Sequence, residues 1–331
     1  MFKLVIFACF LALASADPQW PGIPQIPGVP KVPQIPGIPG IPQIPGVPKL
    51  PQIPDFPNWD DFSSDDGGEQ IALSQPVFPE DARARTSSRI VAGFPAQVGQ
   101  FPHQVRSITQ VSATESSVCG GSILSETVVV TAGHCTYRHT TFQLGFGSVE
   151  FNNPALTITT SHKIEHELYN PSNLNNDISL LILPQKITFS RNIQPIQLPS
   201  YRQRSQTFAG VKATVSGHGK TSDNSQVSTR LMYTHARVIA NWQCARYYAP
   251  GIIVQSTLCA TGWDNNRQST CNGDSGGPLI AYDNNIRQNI LIGVVSFVSG
   301  NGCQTGIPFG FVRTTSYLDW IQRNSGLQVR P

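Results

Sequence analysis

A serine set among glycines is the residue in this chain best suited to covalent chemistry. The run Asn272-Gly273-Asp274-Ser275-Gly276-Gly277-Pro278 holds more glycine than a turn requires. A nucleophile does require it, because a backbone without Cβ atoms passes close to a substrate and lets successive N–H groups converge on one point. Two further segments carry groups that move or accept protons. In Thr131-Ala132-Gly133-His134-Cys135 the histidine follows a β-branched run (Val-Val-Val at 128–130) and stands beside a cysteine, so its backbone is held rigidly. A lone histidine is otherwise usually structural. In Asn176-Asp177-Ile178-Ser179-Leu180-Leu181 the aspartate leads an apolar strand, where an acid also serves simply as a turn residue.

The elements around these segments are short. β-Branched runs at 128–131, 156–160, 178–183, 212–215 and 290–297 are bounded by Gly, Asn, Ser and Pro. Such spacing predicts an all-β barrel or sandwich. A helical pattern is confined to the end, where Tyr317, Leu318, Trp320 and Ile321 form an apolar face. Thr315 or Ser316 is expected to cap its start, and Gly326 follows its last turn. Roughly 240 residues from position 90 onward are ample for one core or for two small packed barrels.

The preceding residues are of another kind. Residues 1–16 (MFKLVIFACFLALASA) place one lysine before an apolar stretch and end on small residues, the pattern of a secretory signal peptide. Its removal takes Cys9 and leaves 7 − 1 = 6 cysteines, an even number that suits three disulfides in an oxidising, extracellular compartment. From Pro18 to Pro57 every third residue is proline, so the prolines line one edge of a three-residue-per-turn polyproline rod. Glycine does not recur every third residue, which excludes collagen; a stiff spacer is the expectation. Residues 58–70 then turn acidic and are expected to be disordered. Residues 17–89 carry 9 acids and 5 bases, and residues 90–331 carry 11 acids and 17 bases.

Composition removes several classes. With 23 Lys and Arg against 20 Asp and Glu, the formal charge is only +3, which argues against a nucleic-acid partner. No apolar run reaches the ~18 residues of a membrane span except at the extreme N-terminus, so no membrane partner is expected.

The motifs TAGHC, NDISLL and GDSGGP, in that order, resemble the chymotrypsin-family (S1-type) secreted serine proteases. The resemblance runs from Arg89-Ile90-Val91-Ala92-Gly93 through the final helix. It implies two packed six-stranded antiparallel β-barrels, at about 90–200 and about 201–331, with a C-terminal α-helix and the site in the cleft between them. It further implies a serine endopeptidase that hydrolyses peptide bonds through an acyl-enzyme. Ser275 would be the nucleophile and His134 its general base and later acid. Asp177 would hold the imidazole, and the N–H groups of Gly273 and Ser275 would form the oxyanion hole. By the same resemblance the disulfides are Cys119–Cys135, Cys244–Cys259 and Cys271–Cys303, worth about 2–4 kcal/mol each.

Activation follows from the resemblance as well. An upstream trypsin-like protease cuts after Arg89, and the new ammonium of Ile90 pairs with Asp274, ordering the Gly273–Ser275 loop. Residues 17–89 are then the pro-segment of a zymogen; they contain no cysteine, so only non-covalent contact could retain them.

Specificity departs from the tryptic pattern. Ser269, six residues before Ser275, takes the place at the base of the primary pocket where trypsin-like members carry Asp. Ser296, Phe297 and Val298 match the family's Ser-Trp-Gly strand, with valine replacing a small wall residue, and Phe309 aligns with the second wall. If Gly310 is the wall residue instead, the pocket is deeper. The expectation is an apolar P1 residue, elastase-like or chymotrypsin-like, with the collagenolytic proteases of arthropods also similar here. His103 and His218 stand where the family often has aromatic residues and are expected to be packed or solvated side chains, with no role as pH sensors. One acid at 150–154 is too few for calcium, so no metal and no cofactor is expected. The chain is expected to act on protein or peptide substrates as a monomer. The competing possibility is a non-catalytic secreted interaction protein, with the barrel as scaffold and the proline rod binding matrix.

Overall fold

Short antiparallel strands make up most of the regular structure; β11 alternates buried with less buried side chains, whereas β5 and β15 are buried on both faces. The computed structural model describes residues 76–77, 93–112 and 115–331; the leader, the proline rod, Arg89 and Ile90 lie outside them. In chain order, β1 (Pro76–Val77) and β2 (Phe94–Pro95) precede the two main sheets. β3 (Gln104–Gln110), β4 (Ser116–Ile123), β5 (Val128–Thr131), β6 (Phe142–Phe146), β7 (Leu156–Thr160), β8 (Lys163–Glu165) and β9 (Ser179–Ile182) form the first, in the order β7-β6-β3-β4-β5-β9-β8.

The two ends of that sheet, β7 and β8, are separated in sequence only by Ser161 and His162. Thr160 Oγ1 donates to the Ile182 carbonyl at 2.6 Å, and the Ile182 N–H donates to the His162 carbonyl at 2.9 Å. That corner carries the chain from one edge to the other, so the sheet curls on itself around Val105, Ile123, Phe142, Leu144 and Leu181. The six strands implied by the resemblance are recovered when β7 and β8 are taken as one bent strand; the curl is closed by the chain and not by a strand-to-strand ladder.

The second sheet closes fully. β10 (Lys212–Gly217), β11 (Met232–Ile239), β12 (Thr257–Gly262), β13 (Pro278–Asp283), β14 (Gln288–Ser299) and β15 (Phe309–Arg313) run in the order β14-β13-β10-β11-β12-β15, and β14 also pairs with β15. Register shifts at Leu279/Ile280 and Val295/Phe297 supply the local bends a small barrel needs. β2 adds to β11, and β1 adds to the end of β14. Val215, Val238, Leu258, Leu279, Ile292 and Phe311 fill this barrel.

Two helices follow. The four-residue α1 (Asn241–Cys244) is too short to leave a periodic signal in the sequence. In α2 (Leu318–Ser325), Leu318, Trp320 and Ile321 are buried as expected, and Gly326 ends it at φ 72°. The expected cap is not made: a 3₁₀ turn at Thr314–Tyr317 precedes α2, and Tyr317 occupies the cap position without a side-chain capping bond to the helix. Thr315 is fully buried in that turn, while Thr314 Oγ1 donates to the Leu291 carbonyl at 2.6 Å. Anchoring to β14 therefore replaces capping. Trp320 and Ile321 share one core with Val130, Ile178 and Leu180 of the first sheet and Leu291 and Val294 of the second. Each such side chain contributes about 1.5–3 kcal/mol by burial, so the helix fastens the seam on which the motifs sit.

Candidate active site

The histidine lies in the turn just past β5, between β5 and β6 of the first sheet. The Cys119–Cys135 disulfide clamps this loop to β4, and Thr131 Oγ1 donates to the Gly120 carbonyl at 2.8 Å. The aspartate lies at the mouth of β9. Its position depends on Asn176 at φ 58°, which accepts a hydrogen bond from the Tyr317 hydroxyl at 3.0 Å and donates to the Leu168 carbonyl at 2.9 Å. The result brings two residues 43 positions apart into direct contact. Asp177 Oδ2 lies 2.8 Å from His134 Nδ1, and Asp177 Oδ1 accepts the His134 backbone N–H at 2.7 Å.

Asp177 is fully buried, and His134 is 3% exposed. A carboxylate in that position accepts hydrogen bonds, so Nδ1 carries the proton and Nε2 presents its lone pair. A third donor completes the carboxylate's shell: the Ser296 hydroxyl, at 2.6 Å from Oδ2. The sequence places Ser296 among the substrate-binding residues and carries no sign of this contact, which spans 119 positions.

The serine loop is pinned against the same strands. The Gly120 N–H donates to the Ser275 carbonyl at 2.6 Å, and the Gly276 N–H donates to that of Val295 at 2.8 Å. A Cβ on Gly276 would lie 2.1 Å from Thr131 Oγ1, and one on Gly120 would lie 2.7 Å from Gly277 Cα. These glycines are thus required by close approach, and the serine loop and the histidine loop share Gly120 and Thr131 as neighbours. Within the loop the N–H groups alternate in use. Those of Asp274, Gly276 and Gly277 donate to the carbonyls of Cys271, Val295 and Asp274. Among the described residues, no hydrogen bond is made by those of Gly273 (φ 96°) and Ser275, the two donors an oxyanion hole needs. The Ser275 hydroxyl itself is buried without a partner among the described residues, and in such sites the base–nucleophile bond tightens when substrate arrives.

Asp274 is buried at the back of this loop. It accepts the N–H groups of Gly219 at 2.7 Å and Cys271 at 3.0 Å. Burial outweighs those two bonds and pushes its pKa up to about 7. A Cβ on Gly217 or Gly219 would fall 2.1 or 2.4 Å from the carboxyl group. Both glycines are therefore part of the site, and the only signal for them in the sequence is the Gly-His-Gly run itself. Burial likewise holds His103 and His218 down to about 4, and His218 packs edge-on to Phe151 at 5.3 Å.

A hollow of about 150 Å³ opens beside the serine loop, lined by Asn272, the Cys271–Cys303 disulfide, Val298 and Ser299, with Lys220 and Asp223 at its rim. Phe309 is buried in the same apolar cluster as Cys271, Val298 and Cys303, and Ser269 is buried nearby in sequence. Gly310 is covered by Phe297, whose ring would lie 2.1 Å from an added Cβ. Phe297 turns its edge to Tyr248, at 5.2 Å between centroids, and away from the cluster that holds Phe309. The third disulfide, Cys244–Cys259, joins α1 to β12. All three pairings are those implied by the resemblance.

Comparison with known proteins adds to this geometry. The Trypsin family model matches residues 90–321. The chain belongs to the trypsin family. A collagenase of Hypoderma lineatum is 40% identical over 240 residues, covering 72% of this chain and 88% of that protein. Serine protease 1 of Drosophila melanogaster is 37% identical over 241 residues, covering 72% and 86%. Trypsin 5G1 of Aedes aegypti is 35% identical over 263 residues, covering 78% and 94%. Among solved structures, the HL collagenase superposes with a TM-score of 0.66 at 39% identity, covering 72% of this chain and all of that one. The protein is accordingly a chymotrypsin-family serine endopeptidase, and its substrates are proteins or peptides.

Proposed function

We propose that this protease is a secreted zymogen in which Ser275 attacks the scissile carbonyl, His134 accepts and returns the proton, and Asp177 holds the imidazole. The 2.8 Å contact between Asp177 Oδ2 and His134 Nδ1 carries this assignment. Ser275 Oγ is too weak an acid to ionise alone near neutral pH, so it depends on a nearby base, the role we assign to His134. The N–H groups of Gly273 and Ser275 take the developing oxyanion. Cutting after Arg89 supplies the Ile90 ammonium to Asp274, a carboxyl whose raised pKa reflects burial without a counter-charge. Three disulfides agree with an oxidising, extracellular destination.

The specificity we assign is non-tryptic. Ser269 offers no charge at the pocket base, and Phe309 and Val298 stand where small residues would leave room. An apolar P1 residue of modest size suits that lining; a buried Arg or Lys there would lack a partner, which costs several kcal/mol. A peptide library varied at P1, hydrolysed by the Arg89-cut protein, tests this. Dominant cleavage after Ala, Val or Leu is expected, and dominant cleavage after Arg or Lys refutes it.

A further inference from the structure

Of the residues that precede Gly93, two are described, and they form a strand. β1 pairs antiparallel with the end of β14, with Pro76 opposite Ser299 and Val77 opposite Val298. The register of β14 with β13 runs from Gln288 to Val294, and with β15 from Gly293 to Phe297. At Val298 and Ser299 the neighbouring strand is therefore β1. That stretch is not a remote edge. Val298 lies two residues, about 7 Å along a strand, beyond Ser296, whose hydroxyl is bonded to Asp177. Val298 and Ser299 also line the hollow beside Asn272 in the nucleophile's own loop. From Pro76 to Val77 the antiparallel register steps from Ser299 to Val298, toward the Ser296 end of β14.

We propose that Pro76–Val77 is a self-docking strand that holds the pro-segment across the substrate edge of β14, so that cutting after Arg89 arms the site but does not open it. An extended peptide joins a sheet edge through main-chain hydrogen bonds, and one edge takes one strand at a time. Proline at position 76 suits the outer strand of a sheet, where a missing N–H costs nothing. Arg89 lies 89 − 77 = 12 residues beyond Val77, a reach of up to about 40 Å, so the cut relieves no tension in β1. No cysteine between 17 and 89 tethers the segment. It is therefore held by pairing and departs by dissociation, which makes release dependent on concentration. The inference rests on residues 17–89 being a pro-segment cut after Arg89.

The test uses the chain from residue 17 onward, cut after Arg89, with two readouts. A fluorophosphonate is small enough to reach Ser275 without the β14 edge, whereas an apolar tetrapeptide anilide needs that edge. The cut protein is expected to label fully with fluorophosphonate yet hydrolyse the anilide slowly until gel filtration removes residues 17–89, when the rate rises by at least about tenfold. A synthetic peptide of residues 71–83 restores inhibition competitively. Val77→Pro removes an N–H from the strand, and a chain lacking residues 74–79 removes the strand altogether; both are expected to be fully active at the cut, and the Val77→Pro peptide at least about tenfold weaker. Equal hydrolysis before and after removal of the segment, or equal potency of the two peptides, overturns the inference while labelling still upholds activation at Arg89. Absence of labelling after the cut overturns the activation mechanism, and the inference with it.

Discussion

Replacing Asp274 by Asn in the uncut protein isolates the electrostatic strain on which the proposed activation draws. The native carboxyl, fully buried, holds its proton up to about pH 7, whereas in the unfolded chain it ionises near 3.8. Between those values the native state binds one proton more than the unfolded state. Unfolding free energy then falls as pH rises, by about 1.4 kcal/mol per pH unit and about 4 kcal/mol in all. Below pH 3.8 the carboxyl is protonated in both states and costs nothing. The carboxamide of the Asp274→Asn variant does not titrate, so the variant lacks this slope; the amide also presents an N–H to that of Cys271, a constant offset at every pH. His103 and His218, neutral down to about pH 4 in the fold, make both proteins gain stability as pH rises from 4 toward 6.5, and they cancel in the difference. Urea unfolding with disulfides intact, at steps from about pH 4 to 8, gives that difference. The wild type minus Asp274→Asn curve should fall from about pH 4 to about 7 and flatten from there to pH 8. After cutting at Arg89 the slope should vanish, because an ammonium partner returns the carboxylate to its charged form. A flat difference curve in the uncut protein refutes the buried, unpartnered carboxyl; a slope that survives the cut refutes insertion of Ile90.

Three other perturbations address separate parts of the site. Ser296→Ala withdraws the 2.6 Å donor from Asp177 and should lower kcat about tenfold with KM unchanged, as steady-state kinetics will report. Phe309→Gly removes a ring from the cluster beside Val298 and the 271–303 disulfide; the ratio of kcat/KM for Phe over Ala at P1 should rise at least about tenfold, and a ratio that stays fixed takes Phe309 out of the pocket. Gly219→Ala drives a Cβ to 2.4 Å from the Asp274 carboxyl carbon and should cut turnover by about 10²-fold or more, while far-ultraviolet circular dichroism remains that of the wild type.

What is legible in the sequence is local. Val128–Thr131 and Leu156–Thr160 form strands at the positions their β-branched runs mark, the first buried throughout and the second burying Ile158 and Thr160. β4 has no such run: Gly120 and Gly121 are small because Gly277 Cα and Val129 Cγ1 would lie 2.7 and 2.8 Å from their Cβ atoms, a demand made by other strands and loops. The His134–Asp177 contact and the three disulfide pairings lie at positions marked by dense, order-preserving motifs. Ser296 as a donor to Asp177, and Gly217 and Gly219 as walls around Asp274, are not, since each answers to a partner at least 55 positions away. β1 is hidden for the same reason; its two residues sit in a proline-containing stretch, and the partner strand alone makes them a strand. The expected cap of α2 by Thr315 or Ser316 fails because both lie within the 3₁₀ turn Thr314–Tyr317, which moves the start of the helix to Leu318.

The central claim is that His134, held by Asp177, activates Ser275. Pre-steady-state hydrolysis of a chromogenic ester by the cut protein, freed of residues 17–89, tests it most directly. The account predicts a burst of one equivalent of alcohol per protein, an acyl group found by mass spectrometry on Ser275, no burst in Ser275→Ala, and acylation slowed by about 10⁶-fold in His134→Ala. A burst that persists in Ser275→Ala, or an acyl group on any other residue, contradicts it.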